Sequence, residues 1–408
     1  MKEKKDILFL LQFFYPEYIS SATLPFDTAS RLAEEGFSVD VLCGYPHEYA
    51  DEAKIPRRET VNQIHIRRAG YLQMDRKKAL GRIVNYLSLT VSMALRLFSM
   101  RNYKTLIVYS NPPILPSVAA LASKLFGCKL IFVAYDLYPE IALKTNALSE
   151  TGIVTKVMNM INKSVYKQAS AVVALSSEMK NYIAKNRNIE ADRIHVIPNW
   201  YKDEYEVRGE EKENSFSHLT KGRFTVGYFG NMGIAQDMEP IKEAIRYYKD
   251  DPDICFLLSG HGSKHAEIEK MIADEKIENA YLYGFLKGKE YLDALRISDC
   301  AVVSLEKGLT GLCVPSKTYG YMMQGLPIVA IMDESDIVND TRMGAGYHIS
   351  GNSTEDFIAL IGNLKKDPFD CEQKRTVCRE IYCSNYVPEI CLNKYVQLFE
   401  ELMDREGF

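Results

Sequence analysis

Nothing in this sequence pairs two cysteines at Cys-x-x-Cys spacing, and no cysteine falls in a metal-ligand pattern. The nine cysteines are an odd count, and Cys371, Cys378, Cys383 and Cys391 cluster without a nearby His. That speaks against a zinc module or a disulfide scaffold and for a reduced, cytosolic chain with buried thiols. Long apolar runs are missing as well. The longest uncharged stretch, between Lys104 and Lys124, contains Asn111-Pro112-Pro113 and Pro116, which suits a strand, loop and helix rather than a membrane span. The Lys-rich start runs into Asp6 and a short apolar segment without a small-residue cleavage site, so no secretory signal is read there. Repeats and low-complexity tracts are lacking too.

What is present is ordinary in bulk and uneven in detail. The chain has 408 residues, 47% of them hydrophobic and 25% charged, enough for two or three domains with large cores. Its net charge of -4 conceals a block. Residues 54–104 hold twelve Lys/Arg against Glu59 and Asp75, a net of +10, which leaves -14 elsewhere. A basic block on an acidic protein calls for an anionic partner.

Short apolar runs alternate with segments of helical length. Ile7–Leu11, 38–43, 106–109, 129–135, 171–175 and 194–197 read as strands. The helix from about Ala22 to Glu35 stops at Gly36. Pro198 to Gly222 reads as an acidic linker with a surface excursion. Alternation then restarts with strands at 224–229, 254–259, 280–283, 300–304 and 327–331. Continuous apolar strands between helices predict parallel sheets covered on both faces. The expected fold is α/β: two doubly wound, Rossmann-like domains facing a central ligand cleft. The expected boundaries are 1–200, with a final helix from about 386 to 408 packing back onto it, and 201–385.

Several segments could carry chemistry. Gly230-Asn231-Met232-Gly233 follows the first strand of the second half and precedes a helix, a geometry for cradling phosphate or simply for a tight turn. Gly260-His261-Gly262 follows the second strand, as a weak phosphate signal or a plain turn. Gly284-Phe285-Leu286 could present backbone to a flat base. Asp251-Pro252-Asp253 reads as a turn rather than a metal motif. The loop 308–314, including Leu312 and Val314, leads into Pro315-Ser316, a good helix start. Lys317 and Thr318 follow in the first turn, where the macrodipole disfavours a cation unless an anion docks there. In the first half, Asp136 and Glu140 emerge at the carboxyl edge of the sheet, as acceptor-orienting carboxylates or as helix caps. Phe13 to Thr23, with Ser20-Ser21, and Ser110-Asn111-Pro112-Pro113 are loops on the same edge.

The basic block holds a helix from Ala79 to Met100 that is apolar nearly all round. Its narrow polar stripe is Arg82, Asn85, Ser88, Ser92, Arg96 and Ser99. Such a helix is either buried or dips into a lipid interface. Flanking charge, including Arg57, Arg58, Arg67, Arg68, Arg76 and Lys77, favours an anionic membrane surface contacted through residues 54–104. No nucleic-acid motif is visible, so nucleic acid is not expected.

These segments together resemble the GT-B glycosyltransferases, specifically retaining family 4 of the bacterial O-antigen, capsule and colanic-acid type. The likeness rests on Gln12-Phe13-Phe14-Tyr15-Pro16-Glu17, Asp136-Leu137-Tyr138-Pro139-Glu140, Ile197-Pro198-Asn199-Trp200, Gly230-Asn231-Met232-Gly233, Leu258-Ser259-Gly260-His261-Gly262, Val314-Pro315-Ser316-Lys317-Thr318-Tyr319 and Gly325-Leu326-Pro327. The resemblance implies a nucleotide-sugar donor, expected to be a UDP-sugar, held by the second half. Gly233 and Lys317 would hold its diphosphate, and Phe285 and Leu286 would line the base. The first half would bind a glycan acceptor, expected to be linked to a polyprenyl diphosphate, through Tyr15, Ser20, Ser21, Asn111 and Tyr135. Lys317, Asp136 and Glu140 would be catalytic, with no metal or other cofactor. The protein is expected in the cytoplasm, peripheral at the inner face of the cell membrane. Two departures stand out. Leu312 and Gly320 occupy positions where the family commonly has Glu, the second of which grips the donor ribose. Tyr135 stands where many members have His. A sugar-nucleotide 2-epimerase of the same fold and a degenerate nucleotide-sugar-binding scaffold are the alternative readings.

Overall fold

The computed structural model describes residues 4–46, 49–50, 54–75, 78–206, 214–220 and 222–404. They form two compact α/β units. The first takes in the chain up to Pro198, Gly311–Cys313 and the stretch from Cys391. The second takes in Asn199–Thr310 and Val314–Ile390.

The first unit is built on eight strands: β1 (Lys5–Leu11), β2 (Val39–Gly44), β3 (Arg58–Val61), β4 (Ile64–Ala69), β5 (Tyr103–Tyr109), β6 (Lys129–Ala134), β7 (Ala171–Ala174) and β8 (Ile194–Val196). Their order is β3-β4-β2-β1-β5-β6-β7-β8. All neighbours run parallel except β3 and β4. The central strands are covered on both faces, which is why they read as unbroken apolar runs. The helices are α1 (Ser20–Glu34), α2 (Ala79–Ala94), α3 (Pro116–Phe126), α4 (Glu140–Lys144), α5 (Ile153–Gln168) and α6 (Ser177–Asn186). Strand order reverses between β1 and β5. Right-handed crossovers therefore place α1 on one face of the sheet and α2, α3, α5 and α6 on the other. The last helix, Pro388–Asp404, packs beside α1. Arg31 donates to Asn393 at 3.0 Å, and Phe37 lies 6.2 Å from Phe399.

Two expectations for the basic block need correction. The stretch read as one helix to Met100 ends at Ala94 and continues as a 3-10 turn, Leu97–Asn102. The block is also no uniform surface patch, because it contains β3 and β4. Ile64, Ile66 and Arg68 alternate inward along β4. The buried Arg68 guanidinium is held by Glu59 and by the carbonyls of Pro56 and Tyr15. Arg67 donates to Tyr103 Oη at 2.9 Å. Internal partners consume these charges. Arg76 and Lys77 lie outside the described residues.

The second unit has six parallel strands: β9 (Phe224–Asn231), β10 (Ile254–His261), β11 (Ala280–Tyr283), β12 (Cys300–Ser304), β13 (Ile328–Ile331) and β14 (Gly346–Ile349). Their order is β11-β10-β9-β12-β13-β14. Val226, Tyr228, Phe256, Leu258, Val302 and Val329 belong to one buried cluster beneath the helices. The expected acidic linker is only partly one. Residues 207–213 lie outside the described residues. Directly after them, Asn214 Nδ2 donates to the Asp293 carbonyl at 2.9 Å and Ser215 Oγ to its carboxylate at 2.7 Å.

Candidate functional site

In the first unit the sheet's carboxyl edge gathers the residues proposed for an acceptor. Ser110, at the end of β5, accepts hydrogen bonds from the amides of Tyr135 and Asp136, each at 3.0 Å. This clamp fixes the turn after β6. Asp136 lines a small cavity with Ser110, Pro116, Asn162 and Tyr166. Burial pushes its carboxyl up to about 6. Glu140 opens α4, and its carboxylate sits 2.6 Å from the Arg187 guanidinium, so its charge is already paired. Tyr135 packs against Tyr109 at 5.1 Å, and Asn111 is half-buried in the adjoining loop. Tyr15 stacks on Phe26 at 5.1 Å, while its carbonyl serves Arg68. Ser20 and Ser21 are the first residues of α1, and neither caps it, because Ile19 is the N-cap. Leu312 buries its side chain, and its carbonyl accepts from Leu137 N at 2.8 Å.

The Asp136 carboxyl carries a direct test. Its folded-state value lies above the ordinary carboxylate value, so its contribution to stability is present at low pH and is lost as pH rises through about 6. Asp136→Asn is expected to be more stable than the parent by about 1–2 kcal/mol at pH 8, the gap narrowing as pH falls below 6. Urea unfolding at both pH values measures it. A gap independent of pH would mean that the carboxylate is well solvated.

In the second unit the strand order reverses between β9 and β12, and the candidate phosphate site lies at that divergence. β9 and β10 run together to their ends, with Gly260 opposite Gly230 and His261 opposite Asn231. A Cβ on Gly260 would sit 1.8 Å from the Gly230 carbonyl oxygen, and one on Gly262 would sit 2.5 Å from the Met232 backbone. Both glycines are therefore demanded by the closeness of the two strand ends. Met232 is fully buried. Burial and His265 both depress the His261 imidazole below its ordinary value. The ring packs edge-on to the exposed Phe285 at 5.8 Å. Ser259 pins the turn that bears Phe285. Its hydroxyl donates to the Gly284 carbonyl at 2.7 Å and accepts from Leu286 N at 3.2 Å.

Lys317 opens a seven-residue helix, Lys317–Met323. Its aliphatic stem crosses Gly230, whose missing Cβ would lie 3.2 Å from Cε. Nζ sits 3.6 Å from the centroid of the Tyr228 ring and 3.3 Å from the Asn231 carbonyl oxygen. Burial pushes the ammonium well below its ordinary range. A π face and a carbonyl are the partners found for this cation among the described residues. The helix is braced by Tyr321, whose hydroxyl donates to Phe229 O at 3.0 Å and accepts from Phe229 N at 2.8 Å. Thr318 Oγ1 donates back to the Pro315 carbonyl at 2.8 Å, Ser316 is exposed, and Val314 is half-buried.

Two sequence expectations change here. The helix after Gly233 starts only at Glu239, with Pro240 in its first turn, so Gly233 does not sit at a helix N-terminus. Its amide donates to Gln236 Oε1 at 3.0 Å instead. The Glu-less position Gly320 is occupied from the side. A Cβ there would lie 2.6 Å from Tyr291 Oη and 3.5 Å from the Tyr201 ring. Tyr201, Tyr228, Tyr291 and Tyr321 were not singled out from the sequence. An alternating strand pattern places Tyr228 next to the turn, but nothing local marks the other three.

A family model described as a glycosyl transferase 4-like domain matches residues 26–200, and one described as glycosyl transferases group 1 matches residues 210–381. The chain is 25% identical over 300 residues to a probable glycosyltransferase, WbjE, of Pseudomonas aeruginosa, covering 72% of this chain and 74% of that one. It is 24% identical over 257 residues to a putative colanic acid biosynthesis glycosyl transferase, WcaI, of Escherichia coli, covering 60% and 62%. Among solved structures, HepE of Anabaena in complex with UDP and glucose superposes with a TM-score of 0.71 at 14% identity, covering 98% of this chain and all of that one. Sucrose-phosphate synthase of Thermosynechococcus elongatus gives 0.76 at 14% identity, with the same coverage. At such identity the structures speak for the fold alone.

Proposed function

We propose the following reaction for this chain, which belongs to the glycosyltransferases of GT-B fold. It moves a sugar, with retention of anomeric configuration, from a UDP-sugar to a glycan carried on a polyprenyl diphosphate, in bacterial surface-polysaccharide synthesis of the family 4 type. The observation that carries this reading is the Lys317 ammonium held over Gly230 and the Tyr228 ring, at the divergence of β9 and β12.

Such an ammonium is poised for a diphosphate. As the glycosidic bond breaks, negative charge grows on the β-phosphate, and a fixed cation nearby stabilises that state more than the ground state. The acceptor hydroxyl attacks from the face that the diphosphate leaves, and the departing diphosphate takes its proton. Asp136 orients the acceptor. Glu140, held by Arg187, fixes the start of the helix that follows Asp136. His261, at the exposed end of β10, offers its ring nitrogens as hydrogen-bond partners beside Phe285. Phe285 offers a face to the base, with Ser259 setting the turn.

A thermal-shift panel of nucleoside diphosphates and their sugars tests the donor. Ligand at about 100 times its Kd adds about 2.7 kcal/mol to apparent stability, so the matching nucleotide is expected to raise Tm by several degrees. A flat response to every nucleotide overturns the reading. Isomerisation of the donor in the absence of any acceptor would mark a 2-epimerase instead. An inverted anomeric signal in the product's proton NMR spectrum would overturn retention.

A further inference from the structure

The first unit carries a helical layer whose outer face is apolar as well. In α2 the inward face combines fully buried Leu89 and Met93 with polar side chains. Buried Asn85 donates to the Met74 carbonyl at 2.8 Å and accepts from its amide at 2.7 Å, and Ser88 Oγ accepts from Leu72 N at 3.1 Å. The segment before α2 is thereby bound to the polar stripe. A second set of apolar residues faces outward. Leu80 is 69% exposed, and Ile83, Leu87 and Val91 follow at helical spacing, each about half exposed or more. The 3-10 turn continues this with Leu95 and Phe98, at 82% and 71%.

The exposed apolar face extends over neighbouring helices. Phe98 meets Phe126 of α3 at 6.0 Å, and α3 packs against α5. Leu121 and Leu125 of α3 are exposed, as are Ile153, Val154, Val157 and Met160 of α5. All three helices lie on the same side of the sheet. Monomeric soluble proteins rarely leave so wide an apolar face open to water.

The charge around it has one sign. Every charged side chain in α2, the 3-10 turn, α3 and α5 is Lys or Arg. No Asp or Glu stands between Asp75 and Asp136, or between Glu150 and Glu178. Among the described residues no helix is long and apolar enough to cross a membrane. An apolar face rimmed by cations alone suits a helix layer lying in the interface of an anionic bilayer. A protein partner of matching chemistry would need an acidic rim around an apolar centre, whereas anionic phospholipid supplies both in every orientation.

We infer that the outer face of α2, the 3-10 turn, α3 and α5 is a monotopic docking surface for an anionic lipid bilayer. Arg57, Arg58 and the strand arginines are not its core. The same layer walls the Asp136 cavity, through Pro116 of α3 and Asn162 and Tyr166 of α5. A bilayer held on this face would bring a lipid-borne hydroxyl to the unit that carries Asp136. This last step rests on the acceptor reading above, whereas the lipid contact does not.

Flotation of the full chain tests it, with vesicles of phosphatidylethanolamine and phosphatidylglycerol in a three-to-one ratio and with vesicles of phosphatidylcholine. The parent is expected to float with the anionic vesicles and to bind the zwitterionic ones about tenfold or more weakly. Leu87→Glu/Val91→Glu and Leu121→Glu/Ile153→Glu are each expected to lower binding to anionic vesicles about tenfold or more. Their nucleotide-induced thermal shift should be unchanged, because the altered side chains are exposed. The proposal is overturned by a parent that stays with the soluble fraction, by equal binding to both vesicle types, or by variants that float like the parent. It is also overturned by a dimer in sedimentation velocity that Leu87→Glu/Val91→Glu dissolves, since the face would then belong to a second copy.

Discussion

Lys317→Met is expected to lower sugar transfer about 100-fold or more, by analogy with the loss of one preorganised charge-stabilising donor. Its thermal stability is expected to match or exceed the parent's. The two halves of this result have one cause. The Lys317 side chain is half-buried, and its ammonium has a π face and a carbonyl as partners. Its folded-state value lies below the ordinary lysine value. A base depressed in the fold weakens folding while the unfolded chain holds the proton, a cost relieved as pH rises through the folded value. Methionine keeps the length of the stem and removes that cost. In the transition state the same partial burial strengthens the attraction to the leaving diphosphate. A variant that loses stability and activity in proportion would show that Lys317 is structural. A variant with parental turnover would remove it from the site.

Gly260→Ala is the second large effect, and it acts on the scaffold. The new methyl group would lie 1.8 Å from the Gly230 oxygen, a backbone atom in register with Gly260 on the adjoining strand. Neither strand can give way alone, because both are buried up to this point. The strand ends must part, which is expected to cost about 3 kcal/mol or more. Urea denaturation measures it, with loss of the nucleotide thermal shift as the functional counterpart. Gly70→Ala is the control. Nothing lies within 4 Å of its Cβ position, so its change should stay within about 0.5 kcal/mol. A Gly260→Ala protein as stable as that control would mean that the two strand ends are not locked together.

The α/β architecture was legible because buried parallel strands leave continuous apolar runs, as at Ile7–Leu11 and Cys300–Ser304. Strands β3, β4 and β14 escaped. β3 is an exposed antiparallel edge, β4 buries an arginine where apolar residues are expected, and β14 is only Gly-Tyr-His-Ile. Lys317 was legible from its awkward place in a first turn. The helix start expected just after Gly233 was placed too early, because local spacing could not show the turn in which Gln236 takes the Gly233 amide. Tyr291 beside Gly320 was out of reach for another reason. The two are 29 positions apart, and only the folded sheet brings the phenol to the space a larger side chain would need. The apolar character of α2 was plain in the sequence, whereas its orientation was not. The inward face is the one where Asn85 binds the amide and carbonyl of Met74, in line with the buried Leu89 and Met93.

Tyr321 has a role that reaches past its own hydrogen bonds. β12 pairs with β9 at Val226 and Gly227, and two residues later the Tyr321 hydroxyl serves both the amide and the carbonyl of Phe229. A phenol thus takes the place of a peptide unit from the neighbouring strand. The sheet can part at its carboxyl end without stranding a backbone dipole, and the seven-residue helix that supplies the phenol also supplies Lys317. Cation and parting are set by one rigid element in advance, so little ordering remains for the moment a ligand arrives.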